Sequence, residues 1–262
     1  MKRRRFLQLA AGTAAAAAVR TTALASVHHE QEIFLTIRDR MLDAGDAIRV
    51  GAGERVRFHF VHAGAPDEVH LHLPGHRFHV VALDRNPVPT PTSVEVLSLA
   101  RGERIEAIVE MNNPANWRLG SLNDAERAGG LGVRVAYAGQ NGPAQWHPPA
   151  VVDWSYARFS ATTRLVPPPD QTIELLLEKR HWVIDGQSHK DIDHLSFRPG
   201  RRYRLRMMNA TDRAQPVRLP DYNLQLTRVN QIPVSGIIKD TIRLERYNVI
   251  DADVVRSAAH CG

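Results

Sequence analysis

Histidine is the residue type in this chain best placed to do chemistry. Residues 68–84 read E-V-H-L-H-L-P-G-H-R-F-H-V-V-A-L-D and carry His70, His72, His76 and His79, with His59 and His62 shortly before them. On a strand, His70 and His72 would project from the same face, a reasonable two-donor start for copper or zinc. The opposing reading is that these imidazoles line a solvated strand face and that Pro74-Gly75-His76 is a turn of the fold. The phrase returns as Q-P-V-R-L-P-D-Y-N-L-Q-L-T-R-V-N over residues 215–230, without a histidine. Other chemistries leave no mark. There is no nucleophile elbow, phosphate loop or dinucleotide fingerprint. Asp124 with Glu126, and Glu30 with Glu32, read as solvated charges rather than acid/base pairs. Trp117, Trp146, Trp154 and Trp182 read as core or interface residues, and Arg201, Arg202, Arg204 and Arg206 as the neighbourhood of a strand's outer face.

The elements that must position these residues come as an internal repeat. Ile48-Arg-Val-Gly-Ala-Gly-Glu-Arg-Val-Arg-Phe-His-Phe60 aligns with Leu195-Ser-Phe-Arg-Pro-Gly-Arg-Arg-Tyr-Arg-Leu-Arg-Met207. Gly53 falls on Gly200, Arg55 on Arg202 and Phe58 on Leu205; with small gaps, Pro74 falls on Pro220, Phe78 on Leu224 and Pro87-Val88 on Pro233-Val234. Two such copies mean two homologous domains rather than a solenoid. Val56, Phe58 and Phe60 alternate with polar residues, as do Tyr203, Leu205 and Met207, the period of a strand with one buried face. Frequent Gly, Pro and Asn turns between short strands predict sandwiches. The spacing leaves room for one short helical turn over residues 123–128. Residues 140–149 and 166–170 read as extended and proline-rich, so 140–171 is expected to be a connector.

The ends read differently. Residues 1–25 begin with Lys2, Arg3, Arg4 and Arg5, continue through an alanine-rich apolar run, and end at Ala23-Leu24-Ala25, the pattern of an export signal. Arg3-Arg4-Arg5-Phe6-Leu7-Gln8 is similar to a twin-arginine leader, which implies a periplasmic or exported protein. The chain has 34 basic and 28 acidic residues; five basic residues and no acidic ones lie in 1–25, leaving 29 against 28. The basic character therefore belongs largely to the leader, and no nucleic-acid partner is expected. No integral membrane segment is expected in the mature chain. Cys261, the single cysteine, has no internal partner for a disulfide.

Several of these motifs together resemble the bacterial multicopper oxidases. Residues 73–84, 86–89, 102–105, 108–114 and 130–132 are similar to the middle domain of three-domain members. Residues 203–209, 216–229 and 235–240 resemble the last domain. The resemblance implies an all-β protein of two tandem cupredoxin-like (plastocyanin-like) Greek-key β-sandwiches: residues 26–139 of middle-domain type and 172–262 of last-domain type, the latter cut short. It also implies copper. A mononuclear electron-transfer copper takes two imidazoles and a thiolate, and the family's trinuclear cluster draws histidine pairs from the first and last domains. The last-domain pattern H-P-x-H-L-H falls here on Gln215, Arg218 and Pro220, and H-C-H survives only as His260-Cys261 before Gly262. The first domain has no counterpart. The family's middle domain holds no copper, so the resemblance makes His70 and His72 chiefly a fold signature. Two functions follow as expectations. One is a degenerate or non-catalytic member; the other is a copper-dependent, laccase-like oxidoreductase of small reductants, taking ligands from another chain or domain. A homo-oligomer or a separate cupredoxin partner would suit either.

Overall fold

In the computed structural model, residues 30–38, 40–43, 47–161 and 166–256 are described. The leader, His260 and Cys261 lie outside the described residues. The first sandwich contains β1 (Gln31–Arg38), β2 (Met41–Asp43), β3 (Ala47–Val50), β4 (Arg55–His62), β5 (Glu68–His72), β6 (Phe78–Leu83), β7 (Asn86–Val94), β8 (Val96–Ala100), β9 (Arg104–Glu110), β10 (Asn116–Ser121) and β11 (Gly132–Tyr137). One sheet runs β2-β1-β4-β9-β6-β7 and the other β3-β11-β10-β5-β8. The alternation in β4 does what it predicts: Val56, Phe58 and Phe60 are fully buried while Arg57 and His59 face outward. The short helix α1 (Asp124–Ala128) forms where expected, its first N–H groups capped by the Asn123 side chain.

The second sandwich contains β12 (Gln171–Glu178), β13 (His181–Ile184), β14 (Gln187–His189), β15 (Tyr203–Asn209), β16 (Gln215–Arg218), β17 (Tyr222–Val229), β18 (Ile232–Pro233), β19 (Ile238–Lys239), β20 (Thr241–Leu244) and β21 (Val249–Arg256). Its larger sheet repeats the first domain's order β2-β1-β4-β9-β6-β7 as β13-β12-β15-β21-β17-β18, with β14 added at one edge and β19 also pairing β17. β1 lies parallel to β4 from Gln31 opposite Val56, and β12 lies parallel to β15 from Gln171 opposite Tyr203. Gly53 and Gly200 lead into β4 and β15 at the same φ of 80°, a left-handed conformation suited to glycine. The hairpins β6–β7 and β17–β18 both turn on two residues at positive φ, Asp84-Arg85 and Asn230-Gln231. That is the turn whose twist matches paired strands.

The smaller sheets differ. Five strands in the first domain correspond to two in the second, where β16 pairs with β20 and with no other strand among the described residues. Residues 195–197, the equivalent of β3, form no strand, although Leu195 and Phe197 still pack on the core. β3 is a strand because β11 hydrogen-bonds it; its counterpart has no such neighbour, and backbone groups without a ladder partner do not make a strand.

The run between the sandwiches is not a bare tether. It contains a 3₁₀ turn, Tyr156–Phe159, whose Tyr156 and Phe159 are buried. The buried apolar residues of both sandwiches form one contiguous core that includes these two rings.

Candidate functional site

β5 and β16 are equivalent strands, and they carry the two versions of the histidine phrase. On β5, His70 and His72 share a face but not a partner. His70 Nδ1 lies 2.8 Å from Ser98 Oγ, and its Nε2 lies 3.3 Å from Glu68. His72 Nδ1 donates to the Glu95 carbonyl at 2.9 Å. His76 is a fold fastener: Nδ1 donates to the Pro74 carbonyl at 2.8 Å, and Nε2 accepts from the Tyr137 hydroxyl at 2.6 Å. Burial pushes Tyr137 up to about 12, so it stays protonated and able to donate. His79 meets Ser93 on the outer face. Burial lowers the affinity of His70, His72 and His76 for protons. Among the described residues, no three His, Cys, Asp or Glu side chains converge as a metal-binding group.

On β16, Gln215 is half-buried, Val217 buried and Arg218 exposed, with Pro220 exposed just beyond. These residues do not suit copper. A guanidinium is permanently cationic with no lone pair to give, proline has no side-chain donor, and a glutamine amide is a poor substitute for imidazole.

Between the domains lies a cluster that spacing alone did not single out. Lys239, at the end of β19, is fully buried, with Nζ 2.9 Å from Asp84 and 2.8 Å from Glu103 of the other sandwich. Asp84 also accepts N–H bonds from Arg104 at 2.8 Å, Asp240 at 3.1 Å and Thr241 at 3.3 Å, joining both domains through one carboxylate. Tyr156 donates to Glu103 and accepts from the Arg243 N–H at 2.8 Å. Burial raises the Glu103 carboxyl, opposed by the Lys239 charge, while the two carboxylates hold Lys239 above its usual range despite its burial. Asp84 and Lys239 both lie in motif blocks visible in the sequence. A lysine in the apolar run Ser-Gly-Ile-Ile-Lys was the signal, since a buried lysine requires an acid. Nearby, a cleft of about 740 Å³ opens between the domains, bordered by His70, Ser98, Trp154, Arg213 and Arg243.

Comparisons with known proteins agree with this architecture. The family model described as multicopper oxidase matches residues 10–137. Laccase-15 of Oryza sativa subsp. japonica is 36% identical over 78 residues, 30% of this chain and 13% of that protein. Lac15 from a marine microbial metagenome superposes with a TM-score of 0.59 at 17% identity, over 87% of this chain and 60% of that one. The McoA multicopper oxidase from Aquifex aeolicus gives 0.59 at 15% identity, over 88% and 60%. A multi-copper oxidase from Pediococcus acidilactici gives 0.57 at 13%, over 87% and 53%. The chain thus spans about three fifths or less of the length of each of these proteins, and the structural likenesses show a shared fold. The family's own sequence model thus matches the first sandwich, and both sandwiches share the fold of multicopper oxidases.

Proposed function

We propose that this protein is an exported, cupredoxin-fold member of the multicopper oxidase family that does not build a trinuclear copper centre from its own residues. The observation carrying this reading is the triple substitution on β16: Gln215, Arg218 and Pro220 stand where the family resemblance expects histidines. One missing ligand leaves a weakened site, but three remove the donor set, and fold alone does not confer the activity. Export rests on the leader pattern of residues 1–25. No helix among the described residues is long and apolar enough to cross a membrane. The competing reading, a laccase-like oxidase completed by another chain, is supported by the strand edge of β16 that has no neighbour among the described residues. Copper stoichiometry with the visible spectrum separates them. The exported chain, loaded with copper, should stay colourless and consume no dioxygen with phenolic reductants. Several tightly held coppers with an intense blue band would sink the non-catalytic reading.

A further inference from the structure

A different pair of imidazoles lies where β5 meets the chain leaving the first sandwich. His72 is 2% exposed, and its Nδ1 donates to the Glu95 carbonyl. A carbonyl oxygen only accepts, so in the neutral ring the proton sits on Nδ1 and Nε2 carries a lone pair. That Nε2 is buried and has no hydrogen-bond partner. Leaving a buried acceptor unpaired is costly, so such an atom calls for a reason. The imidazole of His147, which is exposed, has its centre 6.3 Å from that of His72. Trp146 packs edge-on against His72 at 5.4 Å, and Trp117 against His147 at 5.7 Å.

The separation has a chemical reading. One ion joining two imidazole nitrogens needs about 2 Å per bond, and with roughly 1 Å from each nitrogen to its ring centre the two centres fall about 6 Å apart. The neighbouring Glu95 is already engaged, one oxygen with Arg77 and the other with the N–H of Ala150. Arg127 stacks on Trp146 and is paired with Asp124. Two imidazole nitrogens and indole walls suit an ion content with two ligands. Cuprous copper is such an ion, whereas zinc takes four.

We propose that His72 and His147 form a two-coordinate site for one cuprous ion, walled by Trp146 and Trp117. The site is independent of the β16 positions and goes beyond the proposed function. The test is an anaerobic Cu(I) titration of the whole chain against a chromogenic Cu(I) chelator, following tryptophan emission. Wild type should hold one more Cu(I) than His147→Ala, with emission quenched as that ion binds. His72→Gln should show the same loss and His70→Ala none. His147 is exposed, so its replacement leaves the fold intact and the test survives even if the His72 variant misfolds. The difference is read again on a Cys261→Ser background, so that this thiol does not mask it. Equal stoichiometry and quenching in His147→Ala, equal loss in His70→Ala, or Zn(II) held as tightly as Cu(I) would each overturn the site. A colourless single Cu(I) leaves the proposed function standing. A blue, multi-copper protein sinks that reading, while the His147 difference still tests this one.

Discussion

Removing the Lys239 ammonium would leave Asp84 and Glu103 facing each other where both are fully buried. Breaking a buried ion pair from one side costs about 3–5 kcal/mol, much more than losing an exposed one. Lys239→Met should therefore lower the unfolding free energy obtained from urea titration by that order, and unchanged stability would show that the cluster is dispensable. A second residue-scale prediction concerns His62, fully buried on β4. Burial pushes its pKa down to about 4 from 6.5. Between those values the unfolded chain binds a proton that the folded chain refuses, so stability falls as pH drops through that window and is fully present above it. The shift corresponds to roughly 3 kcal/mol. Urea midpoints at pH 7 and 4.5 should differ more in wild type than in His62→Leu, since the other titrating groups are common to both. Chemistry at this scale was half legible. The histidines are plain in the sequence, but whether two of them share a donor set depends on Ser98, Glu95 and Trp146, which reach them from other segments.

At the scale of elements, the two halves of the repeat diverge where a strand needs a neighbour. β5 is flanked on both sides, by β8 and β10, whereas its equivalent β16 has only β20 among the described residues. Residues 195–197 retain the apolar pattern of β3 without forming a strand. An open edge invites pairing with another chain, and Pro216 and Arg218 on β16 are the kind of residues that discourage it. The second sandwich alone, residues 171–256, is expected to self-associate or to be poorly soluble. Sedimentation showing a stable monomer would contradict this. The alternation of β4 and β15 was legible because it is local. The fate of 195–197 was not, because a strand is a property of two segments.

Across the whole molecule, one carboxylate and one ammonium tie the sandwiches together. Asp84 holds three N–H groups, two from the second domain, while Lys239 reaches back into the first. With a contiguous core beneath them, the two domains should unfold as a single transition by both fluorescence and circular dichroism. Asp84→Ala should split that transition in two. A single transition in the variant would mean that the apolar interface alone couples the domains. The same joint shapes the cleft beside His70, which opens where the two sandwiches meet.

The sequence by itself determined the all-β fold, the two-fold repeat, the family resemblance and the identity of Gln215, Arg218 and Pro220 at the positions where that resemblance expects histidines. Those follow from residue type, period and spacing, which a linear chain displays. Only the tertiary structure decided which polar groups are buried together. It set Lys239 between Asp84 and Glu103, gave His70 and His72 separate partners, and brought His147 beside His72 from a stretch that reads in sequence as a connector. Desolvation and hydrogen bonding act through space, so the charges and lone pairs that matter are chosen by packing rather than by sequence distance.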